Sequence, residues 1–142
     1  MRLRHLIFFI FFISSSLSFS QNRTHIGTWE TLYESNPIRM VLDKYGVLTF
    51  KVGNKILGGN NYVEDGKLLS MHYKAEYSKS KITLTIIIKD KKKNQVIKKD
   101  TGILTFIDPN NITLCFKKPI ESEDDDSALE YANDCRSFLK IK

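Results

Sequence analysis

The residues that could carry proton transfer, metal ligation or thiol chemistry in this chain are few: three histidines, two cysteines and sixteen carboxylates. His5 lies inside a basic, apolar N-terminal stretch. His72 belongs to an alternating run in which it shares a face with Lys74 and Glu76, so it reads as a solvated side chain. His25 precedes the first strand-like segment with no second metal ligand at a diagnostic spacing. Neither G-x-S-x-G nor H-E-x-x-H occurs, and no carboxylate pair stands out. The residues therefore imply no catalytic centre, no metal and no cofactor: the protein is expected not to be an enzyme.

Cys115 and Cys135 form no C-x-x-C, which removes the usual signature of thiol-redox or zinc chemistry. In an exported chain two cysteines are expected to be bridged. The loop so closed spans about 20 residues, for which chain-entropy estimates give ~3 kcal/mol of stabilisation.

Export is written in the first twenty residues. Met1 to His5 is basic, Leu6 to Ile13 is a continuous apolar run, and Ser18 and Ser20 occupy the small positions before Gln21. This is the layout of a cleavable secretory signal, and the apolar run is too short for a membrane span of roughly 20 residues. The expected organisation is a signal peptide over 1–20 and one domain over 21–142, periplasmic or secreted, with no membrane span after cleavage and a monomeric state.

The formal net charge is +6, of which Arg2 and Arg4 belong to the signal. Lys91, Lys92, Lys93, Lys98 and Lys99 cluster, but no arginine group or aromatic stacking platform accompanies them. Lysine-rich hairpin tips protect sheet edges, and a nucleic-acid partner is not expected.

From Thr28 onward the chain alternates with period two. Trp29, Thr31 and Tyr33 share a face, as do Ile38, Met40 and Leu42, then Leu48, Phe50 and Val52. The run Leu69, Met71, Tyr73, Ala75 and Tyr77 is long enough to be a poor helix and a good strand. Ile82, Leu84, Ile86 and Ile88 follow, then Leu104 and Phe106, then Ile112, Leu114 and Phe116. Turns fall at Tyr45-Gly46, Gly53-Asn54, Asp65-Gly66 and Asp108-Pro109-Asn110-Asn111, and Gly58-Gly59 reads as a bulge or barrel corner. Eight hairpin-linked strands suit an all-β up-and-down antiparallel barrel or a sandwich; a barrel leaves no edges and needs no long crossover, so the barrel is the expected fold.

The tail is expected to change character. Glu121 to Asp126 is acidic, and Ser127-Ala128-Leu129-Glu130 fits a capping box. Ala128, Tyr131, Ala132, Cys135, Phe138 and Leu139 fall on one helical stripe, predicting a C-terminal helix over about 127–140. The disulfide would then hold that helix against the outer wall at Cys115. The acidic run lacks the spaced ligands and turn glycine of a calcium loop, and reads as cap and linker.

These residues resemble the exported lipocalin-like domains of bacteria. Gly27-Thr28-Trp29 matches the G-x-W signature of the first lipocalin strand. Ile86 to Asp90, Thr101 to Leu104 and Ile112 to Phe116 are similar to the closing strands. The resemblance implies structural roles for Gly27 and Trp29, with Trp29 as the plug of the closed end. It has departures: no T-D-Y motif is present, and the arginine that covers the tryptophan in true lipocalins is missing, Lys117 being the nearest substitute.

An eight-stranded barrel either fills its interior or keeps room for one small ligand. The expected function is binding of a small hydrophobic ligand in the lumen, with Tyr33, Met40, Phe50, Met71, Tyr73 and Phe106 as candidate lining residues, among inward positions that also include Ile86, Leu114 and Phe116. The alternative is a filled barrel acting as a protein-interaction module, an inhibitor, immunity or envelope-associated factor, through the Glu34 to Pro37 and Lys91 to Gln95 loops.

Overall fold

In the computed structural model, residues 24–119 and 131–141 are described; the expected signal peptide, the acidic run and the capping box lie outside them. Nine strands run in chain order: β1 (Gly27–Tyr33), β2 (Asn36–Leu42), β3 (Leu48–Val52), β4 (Lys55–Glu64), β5 (Lys67–Tyr77), β6 (Ile82–Asp90), β7 (Gln95–Asp108), β8 (Asn111–Pro119) and β9 (Tyr131–Ile141). Each pairs with its sequence neighbour, and β9 returns to β1 to close the barrel. Seven of the first eight follow the alternation that predicts them, because apolar side chains at every second position cover one face of a pleated strand; β4 is interrupted at Gly58-Gly59.

The expected C-terminal helix is not there. Residues 131–141 form β9, paired with β8 from Asn111↔Leu139 to Pro119↔Tyr131. The helical stripe gives way because β8, with no further partner, would leave an open sheet edge. In β9 the inward positions are Asp134, Arg136, Phe138 and Lys140, and charged residues at three of the four hide the period-two signal. Cys115 and Cys135 are directly opposed across β8 and β9 and form a disulfide. The bridge therefore joins two wall strands on the outside of the barrel, rather than a wall and a helix.

Nine strands, not eight, complete the ring, and every pairing is antiparallel. Strand direction must alternate around such a ring, so an odd number closes only if one strand turns a corner. That strand is β4. Its first half pairs with β3 up to Thr49↔Gly58 and its second half with β5 from Gly59↔Met71, with a register shift between Gly59 and Tyr62. Inside the corner Val47, just ahead of β3, pairs directly and antiparallel with His72 of β5. Gly58 has φ +91°, and a Cβ there would overlap the Leu48 carbonyl oxygen. Only glycine permits this bend.

The resulting directions sort the loops. The turns at Glu34-Ser35, Gly53-Asn54 and 91–94 lie at one end with the tops of β8 and β9; we refer to this as the mouth. The segments 43–47, 78–81 and 109–110 lie at the other end, the floor, together with Thr24 to Ile26. The core occupies the floor half: Trp29, Met40, Leu42, Leu48, Leu84, Leu104 and Ile112 are fully buried.

Candidate functional site

The floor is built around Trp29, which is 0 % exposed. Its ring meets Phe106 edge-on at a centroid distance of 6.2 Å, and its indole N–H donates to the His25 carbonyl at 2.8 Å. A cation also covers it: Lys140 Nζ sits 5.1 Å from the ring centroid. The cover thus comes from β9, and the sequence expectation of Lys117 is corrected; Lys117 is exposed on β8, opposite Asn133. Gly27 stands where a Cβ would press on the Lys140 side chain, 2.9 Å from its Cε.

His25, buried at 7 % exposure, closes the floor beneath Trp29. Its Nε2 lies 3.2 Å from the Tyr73 hydroxyl, and its Nδ1 is hydrogen-bonded to the Tyr77 hydroxyl. The Tyr73 hydroxyl donates to the Asp43 carbonyl. With that proton committed, Nε2–H donates to Tyr73, and in the neutral imidazole Nδ1 accepts from Tyr77. Burial, and then the charge of Lys140, hold its pKa below the ordinary histidine value. Tyr73 is pushed up to about 12, first by burial and then by the Asp43 and Tyr77 charges. Each polar atom of this network has a partner, so it acts as a rigid stopper.

The mouth half is different. A cavity of about 340 Å³ opens there, lined by Thr31, Tyr33, Ile38, Phe50, Val52, Leu57, Leu114, Phe116, Asp134, Arg136 and Phe138. Its depth order follows the β8–β9 register. Phe138 lies opposite Ile112 near the core, Arg136 opposite Leu114 above it, and Asp134 opposite Phe116 towards the rim. Gly102 makes room for this wall: a Cβ there would lie 2.7 Å from the Phe116 ring.

The cavity has a lateral seam. β1 and β9 pair only at Thr28↔Ile141, Trp29↔Lys140 and Glu30↔Leu139. Continued, that register would set Thr31 against Phe138 and Tyr33 against Arg136, but no backbone pairing joins them there. Instead the Arg136 guanidinium lies over the Tyr33 ring at 4.6 Å. Immediately beyond Tyr33, Glu34 and Ser35 hold φ of 48° and 67°, the positive values that both central residues of a tight two-residue hairpin turn adopt.

Of the residues predicted to line the lumen, Tyr33 and Phe50 meet in the cavity. Met40 and Met71 are packed in the core, Tyr73 belongs to the floor network, and Phe106 lies against Trp29. Leu114 and Phe116 also line the cavity, whereas Ile86 is in the core. Sequence reasoning misses the charged lining residues Asp134 and Arg136, because it places both inside the expected helix. The lysine-rich tip is exposed, its turn organised by the buried Asp90, whose carboxylate accepts from Lys92 N and Lys93 N at 2.9 and 3.0 Å. Among the described residues, no group of three or more His, Cys, Asp or Glu could hold a metal, and no helix is long and apolar enough to cross a membrane.

No protein-family model matches the chain, and no curated protein or solved structure matches it either.

Proposed function

We propose that the protein is an exported, lipocalin-like carrier that holds a small hydrophobic ligand in the mouth half of its barrel. The observation that supports this is the cavity itself: about 340 Å³, walled mainly by apolar side chains, within the usual range of small-molecule sites, roughly 300–1,000 Å³. The floor supports it by contrast, since Trp29, Met40, Leu42, Leu48, Leu84, Leu104 and Ile112 are fully buried there. The cross-strand disulfide fits an oxidising compartment, the periplasm or the exterior, and no catalytic step is proposed.

The test is native mass spectrometry of the oxidised protein from its own host, followed by extraction into apolar solvent. A co-purifying compound that F50A and a bulky L57W both release is the expected result. An apo mass, with no apolar probe bound at concentrations that saturate ordinary carriers, would remove the carrier reading.

A second reading has one observation in its favour. Leu32 and Ile56, beside the mouth turns, are 71 % and 61 % exposed, as on a surface that meets another protein. An intact cavity occupied by the partner's side chain would separate it from the first.

A further inference from the structure

Building on the carrier reading, we infer that the ligand is an amphiphile with an anionic head, and that Arg136 is the residue that selects it. Arg136 is an inward side chain of β9 lining an otherwise mostly apolar cavity. Opposite it is Leu114, and the remaining walls include Phe138, Phe50, Leu57 and Ile38, which suit a hydrocarbon body and offer no charged group. An occupant that enters apolar end first brings its head to rest at the height of Arg136.

The chemistry there favours an anion. A guanidinium keeps its charge at any physiological pH and offers its N–H groups as a planar fork matched to a carboxylate. The Arg136 guanidinium lies over the Tyr33 ring at 4.6 Å, a cation–π contact that holds the charge at the cavity wall. That contact spans the place where the β1–β9 ladder lapses, so the guanidinium is held against a ring. Asp134 stands two residues nearer the rim, on the same face, and is already engaged. Thr31 adds a hydroxyl at the depth of the seam.

The experiment compares three probes with the same chain and different heads, decanoate, decan-1-ol and decyltrimethylammonium, each below its micellar concentration. They are titrated calorimetrically into the full oxidised protein and into R136Q and R136K. Decanoate is expected to bind about ten- to a hundredfold more tightly than the alcohol, the effect of one charge-assisted contact. R136Q should erase that advantage and leave decan-1-ol affinity within about twofold; R136K should keep part of it. Equal binding of alcohol and carboxylate, or a carboxylate preference that survives in R136Q, overturns the assignment while leaving the carrier reading intact. Preference for the ammonium head overturns it in favour of Asp134. Binding of none of the three overturns both. The head-group series on the unmodified protein decides the matter even if R136Q fails to fold.

Discussion

The two ends of this barrel use the same strands for opposite purposes. At the floor, Trp29 is completely buried and His25, Tyr73 and Tyr77 satisfy one another. At the mouth, Tyr33 is 47 % exposed and apolar walls face open space with one stacked arginine among them. β1 and β9 contribute to both: Trp29 and Lys140 below, Tyr33 and Arg136 above. In each case a β9 cation lies over a β1 ring, at 5.1 Å in the packed floor and 4.6 Å in the hollow mouth. Like contacts thus differ in meaning according to what surrounds them. One seals a core, and the other presents a charge to a cavity.

The contrast can be broken most forcefully at Trp29. W29A should cost about 3–5 kcal/mol in chemical denaturation, whereas F50A, whose ring borders the cavity, should lose well under half as much. Equal losses would mean that the mouth is packed as the floor is. Next in size is the covalent bridge: replacing Cys115 and Cys135 with serine should cost about 3 kcal/mol, detected as a lower denaturation midpoint with the barrel's far-ultraviolet spectrum retained.

The floor network should show itself through pH. H25A is expected to lose about 1 kcal/mol by removing the buried imidazole's hydrogen bonds to the Tyr73 and Tyr77 hydroxyls. The groups facing the imidazole are Tyr73, Tyr77, the Asp43 carbonyl and the Lys140 ammonium. Because the folded pKa of His25 is depressed, the unfolded chain binds this proton first. The stabilisation is complete above about pH 6.5 and declines as pH falls through that value towards the folded pKa. H25A should remove this contribution, and Y33L at the mouth should leave it in place; identical pH profiles for wild type and H25A would contradict the network. The smallest effect belongs beyond the β4 corner, where the buried Tyr62 hydroxyl has no hydrogen-bond partner among the described residues. Y62F should be neutral or stabilising by up to about 1 kcal/mol, in contrast to the loss on truncating the satisfied Tyr73.

How far the fold was legible follows from the chemistry of individual strands. β5 and β6 announce themselves because Leu69, Met71 and Tyr73, then Ile82, Leu84 and Ile86, put apolar groups at every second position. β9 does not, since Asp134, Arg136 and Lys140 place charge where the pattern expects hydrocarbon. Its residues Tyr131, Cys135, Phe138 and Leu139 also satisfy a helical stripe, and local pattern alone cannot arbitrate between the two. A usable signal was present: Asp134, Arg136, Phe138 and Lys140 at spacing two, with Cys135 on the opposite face from them and Cys115 already assigned outward. Tyr33 and Phe50 were legible as lumen residues because alternation fixes their face. Which inward residues line a hollow and which fill a core depends on how the corner at Gly58 and the short seam distribute volume, and neither is encoded in the spacing of apolar residues.

The three-residue seam also has a kinetic consequence. It joins the first and last strands, the most distant partners in the chain, so its formation carries the largest loop-closure entropy for the fewest hydrogen bonds. Closure should therefore be the last event of folding and the first of unfolding, with β1 to β9 already paired in chain order as a curled open sheet. Pulse-labelled hydrogen exchange can read this order directly. The amides of residues 28–30 that donate to β9, and those of residues 139–141 that donate to β1, should gain protection after the β5–β6 and β8–β9 ladders. Simultaneous protection would show instead that the barrel forms as a single cooperative ring.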